Sequence, residues 1–185
     1  MALTYSSPTQ LGAQASDFSL RGVDGKTYQL ADFAGKKSLL IIFMCNHCPY
    51  VIAVQDRINE LTREFGGRGL AIVGINSNDA LKYPDDDFES MKKRSAEKSY
   101  LFPYLFDESQ SVAKAYDAAC TPDPYLYENV GGKFVLRYHG RIDDNWKEPS
   151  QVKSRDLAQA IEALLSGDAI LTDQKPSMGC NIKWK

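Results

Sequence analysis

Two cysteines with a two-residue spacer, Cys45 and Cys48, enclose His47 and are followed at once by Pro49. No other residues of this chain are so well suited to chemistry by type and spacing. Such a pair closes into a disulfide: a thiolate attacks a substrate disulfide, and the second thiol attacks the resulting mixed disulfide and releases a reduced product. The pair stands where an apolar run gives way to a helical pattern. There the first thiol meets unpaired backbone N–H groups and the positive end of the helix dipole, both of which favour a thiolate. The sequence therefore assigns Cys45 as the exposed nucleophile and Cys48 as the resolving thiol. His47 is placed to donate a hydrogen bond to the Cys45 thiolate and lower its pKa; the alternative is an imidazole merely exposed on the first helical turn. Pro49 at an early helical position sacrifices no intrahelical donor, so a structural role suffices for it.

Cys120 and Cys180 are the other two of the four cysteines. Four unevenly spaced cysteines are too few for a disulfide scaffold in a chain this long. Each of the two reads either as a small buried hydrophobe or as an additional redox thiol. Zinc needs four ligands, and only Cys120 or Cys180 would complete a set with Cys45 and Cys48; their spacing does not support one. The sequence thus assigns no metal and no cofactor.

These thiols need elements to hold them. The run Ser38 to Met44 is continuously apolar and partly β-branched, the pattern of a strand covered on both faces. It leads into the cysteines. From Val51 to Phe65, apolar residues recur at helical spacing until Gly66-Gly67 ends the helix. Leu70 to Ile75 is a second buried strand, so strand, helix and strand form one right-handed βαβ unit. Before it, Phe18 to Leu20 and Thr27 to Leu30 flank an Asp24-Gly25 turn and predict a hairpin. After it come the turn-rich Tyr83-Pro-Asp-Asp-Asp87, a polar helix over about 88–98, a short strand at Leu105-Phe106 and a short helix over 109–116. Tyr125 to Tyr127 and Lys133 to Tyr138 predict an antiparallel hairpin, and Ser154 to Leu165 a last amphipathic helix. Residues 168–185 lack periodicity and are expected to form an irregular strap. One domain spans 1–185, with 1–37 an N-terminal hairpin extension.

Composition narrows the partners. With 185 residues the chain can bury roughly 70% of its unfolded surface, enough for a core without staples. Apolar residues at 43% and charged ones at 25% are those of an ordinary folded domain. A net charge of -2 gives no positive field for a phosphate backbone, which argues against nucleic acid. The longest apolar stretch, Leu39 to Met44, falls far short of the ~20 residues of a membrane span, and residues 1–10 carry no export-type pattern. The expected location is cytoplasmic. The expected partners are a disulfide-bearing protein or small molecule, or a peroxide, and a recycling reductant.

The order of these elements, a hairpin, then βαβ with CxxC, then Thr121-Pro122 ahead of an antiparallel hairpin, resembles the thioredoxin superfamily, and within it the AhpC/TSA-like or redoxin branch. The runs Cys45-Asn-His-Cys-Pro-Tyr-Val51, Ile75-Asn-Ser-Asn-Asp79, Gly140-Arg-Ile-Asp-Asp144 and Gly179-Cys-Asn-Ile-Lys-Trp184 are similar to one thioredoxin-like subgroup across about the whole chain. The resemblance implies a thioredoxin fold, α/β with a central mixed sheet flanked by helices. It implies thiol–disulfide oxidoreductase activity, with thiol peroxidase activity as the alternative and a metal-binding module a remoter one. It also makes Pro122 a cis-proline facing the dithiol and Thr121 the residue whose backbone pairs with an extended substrate. Cys120 would then lie near the dithiol as well. Two departures stand out. Thioredoxins carry a buried acid in the strand before the CxxC, but 39–44 has no carboxylate, so proton shuttling falls to water or His47. Peroxiredoxins carry Thr three positions before the reactive Cys, where this chain has Cys45. Copper-chaperone relatives use CxxxC and a distant His; the spacing here differs, and His139 reads as a surface or hydrogen-bonded residue. Arg141, Asp143 and Asp144 form a polar cluster with no catalytic role assigned.

Overall fold

In a computed structural model the described residues are 3–185. The apolar run after Lys37 forms β4 (Ser38–Phe43), in which every residue is buried. Its side chains alternate between two cores, as a strand's period of two dictates. Leu40 and Ile42 join one core with Val54, Ile58, Leu157 and Ile161. Leu39, Ile41 and Phe43 join the other with Val73, Tyr125 and Leu136.

Strand β5 (Leu70–Asn76) runs parallel to β4, and helix α1 (Pro49–Phe65) crosses between them. This is the predicted βαβ unit. On the other side of β4 lies β8 (Asp123–Val130), antiparallel, followed by β9 (Lys133–His139). Strand β6 (Tyr104–Phe106) runs parallel beside β5, and the N-terminal hairpin of β2 (Ser19–Gly22) and β3 (Thr27–Gln29) pairs onto β6. The hairpin is therefore the edge of one seven-stranded mixed sheet, ordered β3-β2-β6-β5-β4-β8-β9, rather than a layer apart from it. Helices α2 (Phe88–Glu97), α3 (Ser111–Ala115) and α4 (Asp156–Ser166) complete the set.

The C-terminal residues depart from expectation. Met178–Asn181 is a strand, β10, between β1 (Leu3–Tyr5) and the two-residue β7 (Cys120–Thr121), both antiparallel to it. Its backbone finds partners on both sides, so it needs no alternating side-chain pattern to be a strand. The following residues are tied down as well: Ile182 N–H donates to the Ala119 carbonyl, and the Lys183 carbonyl accepts from Asp79 N–H and from the Gln110 side chain.

Candidate active site

Strand β4 delivers Cys45 to the end of the sheet, and α1 begins three residues later with Cys48 as its N-cap residue. Cys48 already accepts the first intrahelical bond, from Ile52 N–H, while its own backbone stays extended. Facing them is Thr121, joined to Pro122 by a cis peptide bond as expected. The Thr121 hydroxyl lies 3.4 Å from Cys45 Sγ, and its carbonyl oxygen 3.1 Å from Cys48 Sγ.

One expectation about the pair needs correction. Cys45 is not exposed: it is 2% accessible and Cys48 is fully buried. The two thiols titrate as a pair, each acting on the other, and burial opposes a charge on either. Cys48 Sγ donates to the Thr121 carbonyl and caps no helix N–H, whereas Cys45 Sγ faces the Thr121 hydroxyl, which favours a thiolate there.

His47 also departs from its expected partner. Its Nδ1 lies 2.6 Å from Asp86 Oδ2, not on the Cys45 sulfur, and its ring stacks on Tyr83 with centroids 5.4 Å apart. The hydrogen bond to Asp86 raises its pKa. Nε2 is buried and has no partner among the described residues. Asp86, fully buried, further accepts from Asn46 N–H at 2.7 Å and from the Asn78 amide at 2.7 Å. It supplies, from a loop, the buried acid that is absent from β4. The sequence reading passed over it because Tyr83-Pro-Asp-Asp-Asp87 reads as a turn; no local signal distinguishes its middle carboxylate from the other two.

Cys45, His47 and Asp86 offer ligand-type atoms within 4.8 Å of one another, a grouping the sequence reading did not assemble when it assigned no metal. His47 Nδ1 and both Asp86 oxygens are engaged in the hydrogen bonds just described. The other metal set weighed from the sequence does not assemble: both ring nitrogens of His139 are used, one on Asp123 at 2.8 Å and one on Thr9.

The remaining thiols separate. Cys120 is buried with its sulfur against the Pro122 carbonyl, and burial pushes its pKa strongly upward. Cys180 is the third thiol at the pair, its sulfur 2.9 Å from Cys48 Sγ. Burial, then the hydrogen bond to Cys48, pushes it up to about 12. Arg141, Asp143 and Asp144 fasten the loop after β9: Arg57 binds Asp143, Arg141 binds Asp156, and Asp144 accepts from Lys153 N–H. A cavity of about 260 Å³ opens beside Pro122, lined among others by Tyr50, Trp146 and Met178.

The chain is similar to an uncharacterized conserved protein from Geobacillus kaustophilus of known crystal structure: the TM-score is 0.93, the identity 43%, and the match covers 100% of this chain and 97% of the other. Among curated proteins it is 24% identical to Peroxiredoxin Bcp of Bacillus subtilis over 84% of this chain and 94% of the relative. It is 25% identical to Thiol-disulfide oxidoreductase ResA of Halalkalibacterium halodurans over 74% and 73% respectively. Residues 11–145, which hold both cysteines of the pair and the cis-proline, match the model of the AhpC/TSA family: the chain belongs to that family.

Proposed function

We propose that the chain is a thiol–disulfide oxidoreductase with Cys45 and Cys48 as its redox pair. The observation that carries this reading is the placement of both sulfurs directly opposite Thr121-Pro122, Cys45 on the threonine hydroxyl and Cys48 donating to its carbonyl. The Cys45 thiolate attacks one sulfur of a substrate disulfide, forming a mixed disulfide and expelling a substrate thiolate. Cys48 then gives up its proton and attacks Cys45 Sγ, which closes Cys45–Cys48 and releases the second substrate thiolate. The substrate gains two electrons and the pair loses two. Asp86 and the imidazole of His47 lie close enough to Cys45 to take the proton it sheds in becoming the thiolate.

Pro122 and the Thr121 hydroxyl position the substrate in this reading, because the Thr121 backbone expected to pair with it is already paired with Cys180 of β10, and a reductant of dithiol type returns the pair to thiols. The location is read as cytoplasmic, where so small a number of unevenly spaced cysteines is ordinary. No helix among the described residues is long and apolar enough to cross a membrane.

One observation favours a second reading. Cys48 stands where peroxiredoxins carry their reactive cysteine, and the sulfur of Cys180 lies 2.9 Å from it. Attack on a peroxide would give Cys48 sulfenic acid and an alcohol or water, and a neighbouring thiol would condense with it, releasing water. Reduction of an insulin-type disulfide and consumption of peroxide, followed separately in wild type, Cys45→Ser and Cys48→Ser, decide between them. Disulfide reduction that needs both cysteines, with slow peroxide loss, supports the oxidoreductase. Disulfide reduction that survives either substitution refutes it, and fast peroxide loss requiring only Cys48 installs the peroxidase in its place.

A further inference from the structure

We propose that Cys180 is a third thiol of the redox centre and takes over the disulfide from Cys45–Cys48 as a Cys48–Cys180 bond. This rests on the reading of Cys45 and Cys48 as a redox pair. The placement of Cys180 is built into the backbone. Strand β10 pairs Cys180 with Thr121 on one side and with Leu3 on the other, so the residue is fixed at the same level as the cis-proline. Ser177 Oγ donates to the Pro122 carbonyl at 2.6 Å, anchoring the strand's approach. Gly179 lets it come close: a Cβ there would stand 1.9 Å from the Thr121 carbonyl oxygen, so any larger residue must lift the strand away. The result is a sulfur–sulfur distance of 2.9 Å, against about 2.05 Å for a formed disulfide.

Cys48 is therefore the central sulfur, 2.9 Å from Cys180 on one side and joined to Cys45 by the two-residue spacing on the other. Once Cys45–Cys48 has closed, Cys180 attacks Cys48 Sγ. The Cys48–Cys180 bond forms, the Cys45–Cys48 bond breaks, and the proton leaving Cys180 passes to the expelled Cys45 thiolate. No net oxidation occurs in this step; the oxidant is the substrate disulfide consumed in the step before it. The edge of β7 beside the thiols is also one an extended peptide would use to add a strand. The chain fills that edge with β10, which leaves the reactive sulfurs almost without solvent contact. A Cys48–Cys180 bond would pin this cover in place and leave Cys45 as the thiol.

The test oxidises the reduced full-length protein with oxidised glutathione, quenches with acid and a thiol-blocking reagent, and maps disulfides by peptide mass spectrometry. In wild type both Cys45–Cys48 and Cys48–Cys180 are expected; in Cys45→Ser, Cys48–Cys180 closes with loss of both thiols; in Cys180→Ser only Cys45–Cys48 remains. Gly179→Ala, with its fold checked by circular dichroism, should lose the Cys48–Cys180 bond while keeping Cys45–Cys48. A Cys45→Ser protein that holds glutathione on Cys48 and never closes onto Cys180 overturns the proposal. Wild type that forms no Cys45–Cys48 overturns the reading beneath it instead, and the Cys45→Ser arm still decides the role of Cys180.

Discussion

The buried Cys45–Cys48 dithiol makes stability depend on pH in a way that replacing both cysteines removes. The first proton leaves the folded pair at about 5, below the roughly 8.5 of an unfolded cysteine, so the thiolate of the pair contributes stability that is complete above 8.5 and lost as pH falls through 5. On these values the contribution is on the order of 3 kcal/mol at pH 7 and a small fraction of that at pH 5. Replacing both cysteines by serine removes it. The difference in unfolding free energy between pH 7 and pH 5 should therefore shrink by about 2 kcal/mol in the variant. His47 works in the opposite direction, because its pKa is raised in the folded state: its stabilisation is complete below its unfolded value and lost as pH rises through the folded one. It is present in both proteins and largely cancels in the comparison. Above 8.5 the raised pKa values of Cys45, Cys120 and Cys180 favour unfolding, so the wild-type curve should turn over there. The assay is urea unfolding across this pH range under a phosphine reductant that adds no thiol. Parallel curves for the two proteins between pH 5 and 8 would show that the pair keeps both its protons, and the assignment of a thiolate to it would fail.

Two further substitutions probe the surroundings. Asp86→Asn removes the charge and leaves one of the two acceptor oxygens at this place, so the His47 pKa should fall toward its ordinary value and the Cys45 thiol should become more acidic; an imidazole titration followed by NMR that matches wild type would disconnect Asp86 from the site. Gly74→Ala puts a Cβ 2.8 Å from Met44 Sδ and 3.1 Å from the Phe102 ring, and overpacking of this kind costs about 1–3 kcal/mol. Its urea midpoint should fall accordingly, and an unchanged midpoint would mean that β5 has room the packing does not show.

What could be read from the sequence follows a simple division. Strand β4, helix α1 and the hairpin of β8 and β9 announce themselves because burial on both faces, a helical stripe and alternation are local patterns. The Thr121-Pro122 site came from the order of elements together with a family resemblance. Asp86 and β10 were not legible, since each is defined by distant partners. Burial of the Asp86 carboxylate depends on donors at Asn46, His47 and Asn78, and β10 exists because β1 and β7, from far along the chain, offer it hydrogen bonds on both edges. The burial of both cysteines has the same origin: it depends on the Thr121-Pro122 segment and on β10, which the spacing of the pair does not reveal.

The surroundings of the two sulfurs differ in a way that bears on the roles proposed for them. Cys45 Sγ faces the Thr121 hydroxyl and lies within 4.8 Å of the ligand-type atoms of His47 and Asp86, whereas Cys48 Sγ donates to the Thr121 carbonyl and sits 2.9 Å from Cys180 Sγ. A hydroxyl can turn its proton toward a thiolate; a carbonyl cannot, and it suits a sulfur that keeps its own proton. In the proposed reaction Cys45 is accordingly the sulfur that attacks, and Cys48 the one that holds its proton until it resolves. The imidazole of His47, itself bound to Asp86, stands beside the thiol that must lose its proton first, so a carboxylate and an imidazole borne on loops stand at the pair where β4 offers no acid.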